Sequence, residues 1–488
     1  MPPPRPVRQT GVNVAVSLAG QLVGKASTLA WTLVAARELT RSGYGLFFYA
    51  YALAGLASAV AEWGFDPVLV ERVSRNPDGV DVDYTNAQAA QTVLAVPAFA
   101  VAAIVAAQSP GSGTDRLAVV LVCVAVLFDL WTDTARTVGS ALRNQVPTSR
   151  ALVIQRGVTA AAAIAVLLLG GGLLGLCAAF LGGSVAGVAA HHHALRGLGV
   201  RLRLRTVRPA ALIATARDCA VLGVTVVVMI ALFRFDAVLL GLIKGQAAVG
   251  SYAVAYRLFE TTLFVTFSVQ GATFPVMAAA DDAETVAREV TRGLAVAGCV
   301  YAVYLAVCLC DAPGVIGLLF GAQYTHVSAD ALRWLSAAPL CYLAGALGTS
   351  ALQAVRRRPM ILASALVALV VNVALDLILI PRMSGTGAAI GTTVSYGVLA
   401  AVALVGLARA GVRVAVPKAL LAPVATGAVT AGLLLLLPLP TAADIVVAVA
   451  VVVAAWVAIL AARDPQQRWR TPFSLIGRTG GSAFEDMP

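Results

Sequence analysis

Fourteen stretches of this chain are each apolar for long enough to cross a lipid bilayer, and this limits the possible fold more than anything else in the sequence. A membrane-spanning helix needs about 20 predominantly apolar residues. Splitting the chain at charged or Gly/Pro-rich breaks leaves candidate spans near 11–36, 44–64, 86–107, 116–140, 151–170, 173–193, 212–240, 246–279, 289–310, 328–354, 360–380, 386–408, 417–437 and 442–462. The runs are continuously apolar rather than alternating, which predicts helices and excludes a membrane β-barrel. The expected fold class is therefore all-α, a polytopic membrane protein. Composition agrees: 59% of the residues are hydrophobic and only 12% are charged, where a soluble chain carries about 25% charge. The first run ends in Ala36-Arg37-Glu38 without a small-residue cleavage site, so no cleavable signal peptide is expected.

An even number of spans puts both termini on one side, and the basic residues predict which. With the N-terminus in the cytoplasm, the other side holds only Arg37, Arg41, Arg116, Arg234, Lys244, Arg333 and Arg382. Lys25 and Arg257 fall inside spans, and the remaining Lys and Arg are cytoplasmic, as the positive-inside rule requires. The net charge of +11 is thus read as loops lying on an anionic leaflet, with membrane lipids as partners and no nucleic acid. Arg201-Leu-Arg203-Leu-Arg205 is an amphiphilic linker on that leaflet, and Arg356-Arg-Arg358-Pro359 a cytoplasmic turn. The seven cysteines lie nearly all within apolar runs and read as small buried hydrophobes, not a disulfide framework. His191-His192-His193 cannot converge on one metal, because consecutive helical residues point about 100° apart; it reads as a helix end at the headgroups.

No loop has room for a folded domain, and no Walker A motif is present, so neither an enzyme nor an ATPase is expected, and no cofactor. The architecture is that of a transporter. A weak internal repeat supports this. Tyr44-Gly-Leu-Phe-Phe-Tyr-Ala-Tyr-Ala-Leu53 opens span 2, and Val249-Gly-Ser-Tyr-Ala-Val-Ala-Tyr-Arg-Leu258 opens span 8, with Gly45/Gly250, Ala50/Ala255, Tyr51/Tyr256 and Leu53/Leu258 coinciding. A glycine turn precedes span 6 (Gly170 onward) and another precedes span 12 (Ser384-Gly-Thr-Gly). Together they predict two parallel six-helix halves related by an axis along the membrane normal. The expected units are an N-terminal lobe with its linker over 1–208, a second lobe over 209–410, an appended hairpin over 411–464 and a disordered cytoplasmic tail over 465–488.

The chain resembles the Wzx-type polysaccharide flippases of the multidrug/oligosaccharidyl-lipid/polysaccharide exporter superfamily. The resemblance is carried by Ala36-Arg37-Glu38-Leu39 with Gly43 to Phe47, by Asp236 through Gly241, by Val249 to Tyr252 and by Pro275. It continues in Leu319-Phe320-Gly321-Ala322-Gln323-Tyr324, Asn372 to Pro381, and Gly385 to Gly391. It implies two lobes in a V around a central cavity and fourteen helices in all, as in lipid II flippases. It also implies that an undecaprenyl-diphosphate-linked oligosaccharide crosses the cytoplasmic membrane by alternating access, with a polysaccharide polymerase and glycosyltransferases as working partners. A multidrug cation exporter of the same superfamily is the alternative. A membrane enzyme of glycan assembly and a transport-silent scaffold are further rivals.

Charged groups inside hydrocarbon carry the most information about a site, because each is costly unless it faces a cavity or a partner. Lys25 sits near the middle of span 1, on a polar stripe with Ser17, Gln21, Thr28 and Thr32. It reads either as a cavity wall that attracts a diphosphate or as a lysine paired with an acid on a neighbouring helix. Arg257 shares a face of span 8 with Thr261 and Ser268, and Glu260 stands three residues on, placed to neutralise it. If both face the cavity, one cation comes from each lobe. The ion-coupling candidates are Asp129, with Asp133 paired to Arg136 nearby, Asp236, which the resemblance also marks, and Asp376, on one face with Asn372. Each is equally readable as a satisfied helix–helix contact.

Overall fold

The computed structural model describes residues 7–108, 112–437 and 440–461; the side chains of 7–19, 106–108, 211 and 457–461 are outside that description, and with them Ser17. The predicted tail over 465–488 also lies outside the described residues. Among the described residues sixteen α-helices follow one another: α1 Val7–Glu38, α2 Arg41–Glu62, α3 Phe65–Arg75, α4 Val80–Gln108, α5 Gly113–Ala141, α6 Val146–Leu168, α7 Gly172–Gly197, α8 Pro209–Lys244, α9 Gln246–Ala278, α10 Ala283–Phe320, α11 Thr325–Leu335, α12 Ala338–Ala354, α13 Arg358–Met383, α14 Gly385–Arg409, α15 Val416–Leu436 and α16 Thr441–Ala461. Eleven helical stretches among the described residues are long and apolar enough to span a membrane. The spans read from the sequence recur in order, the tenth being broken into α11 and α12.

Two departures from the sequence reading have local causes. Helix α3 falls in a stretch expected to be loop; it is short and polar on one face, with Phe65, Leu69 and Val73 buried on the other. Trp63 and Gly64, at φ of 44° and 73°, turn the chain from α2 into it. Helix α10 runs past the expected end of span 9 to Phe320, but it bends at Asp311, two residues before Pro313. The proline cannot donate a helical hydrogen bond. Asp311 Oδ1 instead accepts from the Gly314 nitrogen at 2.9 Å, and Oδ2 accepts from Thr441 Oγ1 of α16 at 2.6 Å.

The helices form two six-helix lobes with the same internal packing. In the first, α1 packs on α6, α6 on α7, α5 on α7, and α2 on α4 and α5. In the second, α8 packs on α13, α13 on α14, α12 on α14, and α9 on α10 and α12. The α15–α16 hairpin lies against α10. Between the lobes, α2 packs along both α8 and α9, whereas α1 touches α9 only sparsely. A close approach lies at the start of α2 and α9, where Gly45 and Gly250 let the two backbones meet. At the same end Arg37 donates to the Leu318 and Leu319 carbonyls, at 2.5 and 3.1 Å, and Gln323 donates to the carbonyls of Ala36 and Leu39, at 2.8 and 3.3 Å. This end of the interface is sealed. Towards the other end the lobes enclose polar space.

Candidate functional site

The polar space between the lobes holds about 240 Å³ and is lined from both sides. The first lobe contributes Gln21, Lys25 and Thr28 of α1, Tyr51 of α2, Arg136 of α5 and Arg156 of α6; the second contributes Arg257, Glu260 and Thr261 of α9. A further space of about 270 Å³ shares Gln21 and Arg136 and extends towards the α5–α6 turn, away from the sealed end. Small residues bring α1 onto α6: a Cβ on Gly20 would lie 3.5 Å from Ser149, and one on Gly24 would lie 3.4 Å from Arg156 Cγ. That approach sets Lys25 and Arg156 into one wall. Thr28 and Thr261 return their hydroxyls to the carbonyls of Gly24 and Arg257, at 2.9 and 2.7 Å.

The Lys25, Arg257, Gln21, Thr28 and Thr261 predicted from sequence thus line one cavity. Of the two readings of Arg257, the structure shows the ion pair with Glu260, while Arg234 and Ser268 are placed differently from expectation. Arg257 is 8% exposed and pairs with Glu260 at 2.7 Å, so it is not a bare cation. Glu260 also binds Arg234 at 2.7 Å, and Arg234 lies inside α8, facing this cavity's ion pair, although the charge count placed it with the outer-side charges. One carboxylate therefore bridges two guanidiniums. They lie against the aromatic face of α2, Arg234 over Tyr51 at 5.1 Å and Arg257 over Phe48 at 5.8 Å. Lys25 has no carboxylate within 4 Å among the described residues, and no hydrogen bond ties it to a neighbour. Ser268, expected on the same inward face as Arg257, is exposed and bonded to the Phe264 carbonyl.

The sequence reading did not mark Arg156 as a site residue, and it gave Arg136, at the cytoplasmic end of span 4, only as the partner of Asp133. Both face the cavity. Arg136 pairs with Asp133 at 2.9 Å, and Arg156 lies 3.7 Å from Asp129. Asp129 further accepts from Gln155 at 2.7 Å, which makes it a contact within its own lobe. The available signal was Gln155-Arg156, ten residues inside α6. With Lys25, Arg136, Arg156, Arg234 and Arg257 set against Asp129, Asp133 and Glu260, the site carries an excess of positive charge. His191, expected at the headgroups, is instead buried in the first lobe.

Asp236 and Asp376 lie elsewhere, in the core of the second lobe, and both are fully buried. Asp236 is well supplied with donors: Tyr252 Oη, Thr392 Oγ1 at 2.9 Å and the Ala237 nitrogen at 2.6 Å. Asp376 is not. Neither of its carboxylate oxygens has a hydrogen-bond partner, nor does either side-chain polar atom of Asn372, one turn away. A Cβ at Gly391 would stand 2.3 Å from Asp376 Oδ1 and 3.7 Å from Asn372 Nδ2, so α14 meets this pair with bare backbone.

Residues 11–281 match the family described as polysaccharide biosynthesis protein. The chain belongs to that family. Its fold is shared with solved structures of low sequence identity. One is the lipid II flippase MurJ in an inward closed conformation, 9% identical, with a TM-score of 0.73 over 92% of this chain and 99% of that one. Another is a multidrug resistance MATE family transporter of the MOP superfamily in an inward-facing conformation, 18% identical, with a TM-score of 0.64 over 79% of this chain and 94% of that one. A third is a MOP superfamily transporter from Pyrococcus furiosus, 16% identical, with a TM-score of 0.61 over 83% and 96%, for which reverse polarity of the binding pocket suggests a different function. No curated protein matches the sequence significantly. This member of the polysaccharide biosynthesis family is thus a multi-pass membrane protein with a cationic cavity between two lobes.

Proposed function

We propose that the chain is a flippase for a lipid-linked oligosaccharide carried on undecaprenyl diphosphate, moving it from the inner to the outer leaflet of the cytoplasmic membrane for polysaccharide export. The observation that carries this reading is the cationic cavity between the lobes. A diphosphate bearing sugars cannot cross hydrocarbon unaided, since an isolated charge there costs far more than binding can easily return. Lys25 offers it a mobile point charge, and the guanidiniums of Arg156 and Arg257 suit phosphate oxygens. The sparse contact between α1 and α9 leaves a side through which a polyprenyl tail can stay in the bilayer. The same excess of positive charge disfavours an organic cation as cargo, which counts against the exporter alternative.

In this reading both termini are cytoplasmic, the sealed end faces outward, and the residues divide into units over 1–208, 209–410 and 411–464. Rocking of the lobes then opens the seam at Gly45 and Gly250. Asp376, with Asn372 and the nearby Asp236, is the ion-coupling group, taking up a proton or sodium ion during the cycle. Its carboxylate has no internal donor, and a buried charge needs a partner. The polymerase and glycosyltransferases that make and use the glycan are the functional partners.

The test is accumulation of lipid-linked glycan on the inner leaflet in cells lacking this chain. Restoring the wild type should clear it, and Lys25→Ala should not. Absence of accumulation, together with a changed sensitivity to cationic drugs, would overturn the reading.

A further inference from the structure

A cavity of about 430 Å³ lies inside the first lobe, separate from the central one, between α4, α5 and α7 and beneath the chain that joins α7 to α8. Helix α5 divides the two: Arg136 faces the central space, while Trp131 and Ala135 face this one. Its walls are mainly apolar, and they continue onto the outside of the protein. Val93 is 60% exposed and Leu204 74%, and Val96, one turn beyond Val93 on α4, is 68% exposed. A surface so apolar on a membrane-spanning helix faces lipid, so the cavity opens sideways into the bilayer.

Its polar atoms are unusual. His191 bonds through Nδ1 to the Gly187 carbonyl at 2.9 Å, which leaves Nε2 as the free nitrogen. That atom, Trp131 Nε1 and both ends of the Gln88 amide are buried in this wall without a hydrogen-bond partner. Native interiors pair nearly all such groups. Here several unpaired ones line a single apolar space, a pattern that fits a ligand which is mostly hydrocarbon with a few polar oxygens.

The cavity has a charged mouth. An adjoining space of about 450 Å³ is lined by His192, Arg196, Arg201 and Leu202, and it shares His192 and Leu202 with the first. Neither guanidinium pairs with a carboxylate among the described residues, although acids are near. Asp81 is taken by Arg203, whose Nε donates to it at 2.7 Å, and by the Arg201 backbone nitrogen at 3.0 Å. The linker thus spends Arg203 on fastening itself to α4 and leaves its Arg201, with Arg196 of the last turn of α7, at the opening.

We propose that this compartment is a binding site for one anionic glycerophospholipid. An acyl chain fills the apolar cavity, the ester carbonyls accept from Trp131 and Gln88, and the phosphate sits between Arg196 and Arg201. The order of chemistry from chain to glycerol to phosphate matches the order of the walls from apolar to polar to cationic. Bound there, the lipid braces the linker against α4, α5 and α7. The site is independent of the transported cargo, with which it shares no lining residue.

The test uses the purified full chain in nanodiscs doped with phospholipids brominated on the acyl chain, which quench tryptophan on contact. The Trp131 signal is the difference between the wild type and Trp131→Phe. Brominated phosphatidylglycerol should quench it at about tenfold lower lipid fraction than brominated phosphatidylcholine, since surface-held arginines favour anionic headgroups. The double substitution Arg196→Gln with Arg201→Gln should abolish that preference. Arg205→Gln, whose side chain lines neither space, controls for loss of the linker fold and should leave the preference intact. Equal quenching by the two lipids, a preference that survives the double substitution or is lost with Arg205→Gln, or relief of quenching by inorganic phosphate would each overturn the proposal.

Discussion

Gly45 and Gly250 occupy equivalent places in the two halves of the sequence, and in the structure they pack against each other. A Cβ on Gly45 would lie 1.8 Å from the Gln246 carbonyl oxygen and 2.6 Å from the Gly250 nitrogen; one on Gly250 would lie 2.0 Å from the Arg41 oxygen. Both glycines have ordinary helical backbone, so space and not conformation requires them. Gly45→Ala should therefore force the sealed end apart. Overpacking costs about 1–3 kcal/mol, enough to shift a two-state population by about five- to 150-fold. Spin labels at Glu38 and Val327, both exposed, should report a longer distance in the variant. An unchanged distance distribution would show that the seam accommodates the methyl group and is not a gate.

The same end is held by two reciprocal helix caps. Arg37, at the end of α1, satisfies carbonyls at the end of α10, and Gln323, just after α10, satisfies carbonyls at the end of α1. Unpaired carbonyls at helix ends need such donors. Each cap should be worth about 0.5–1.5 kcal/mol. Arg37→Ala and Gln323→Ala should each lengthen the same label distance less than Gly45→Ala does, and the pair together should exceed either alone. If the double variant matches the single ones, the caps do not act on the gate.

Glu260 answers for both Arg234 and Arg257, so its loss should cost more than that of either arginine. Removing one partner from a buried ion pair costs about 3–5 kcal/mol, and here two guanidiniums are left facing each other. Glu260→Gln should lower the thermal midpoint in detergent sharply, and adding Arg234→Gln to it should recover part of the loss. A double variant as unstable as the sum of its parts would contradict the bridging role.

How much of this was visible in the sequence depends on distance along the chain. The spans, the paired halves and the shared face of Asn372 and Asp376 follow from hydrophobic period and short spacing. Glu260 as a neighbour of Arg257 was legible at three residues. Arg234 as its second partner was not, because the pairing joins α8 to α9 and no spacing rule reaches across them. Arg156 and Arg234 fall within spans 5 and 7 but were counted with the charges on either side of the membrane, since charge usually marks the end of an apolar run. Yet α8 has 36 residues and would span about 54 Å at 1.5 Å per residue, far more than the hydrocarbon needs, so its charges can sit deep without ending it.

Asp66, on α3 outside the membrane spans, gives the protein a predictable response to pH. Burial pushes its carboxyl up to about 6 from an ordinary 3.8, and Asp133 adds to the rise, against Thr137, Thr134 and Arg136. Because the folded state holds the proton more tightly than the unfolded one, stability is highest below about pH 4 as far as this group is concerned. It falls as pH rises from there to about 6. The difference is of order 2–3 kcal/mol at neutral pH. Asp66→Asn keeps the Thr137 contact available while removing the charge. It should raise the thermal midpoint at pH 7 and flatten its fall between pH 4 and 6; an unchanged slope would assign the pH response to other groups.

Asp236 and Asp376 differ in how their charge is met, and that difference separates structure from ion coupling. Asp236 accepts from Tyr252, Thr392 and Ala237, so Asp236→Asn replaces an acceptor with a donor where donors already point in, and stability should fall. Asp376 has no such donors, and its oxygens face Asn372 and the backbone of Gly391. Asp376→Asn should therefore leave the thermal midpoint unchanged or higher, while removing any dependence of glycan translocation in proteoliposomes on a sodium or proton gradient. Gly391→Ala tests the same place by volume: a methyl group 2.3 Å from Oδ1 should displace the carboxylate and weaken the gradient dependence without altering charge. Both variants folding well and both retaining full gradient dependence would remove Asp376 from the coupling step and leave it a buried acid with a purely structural place between α13 and α14.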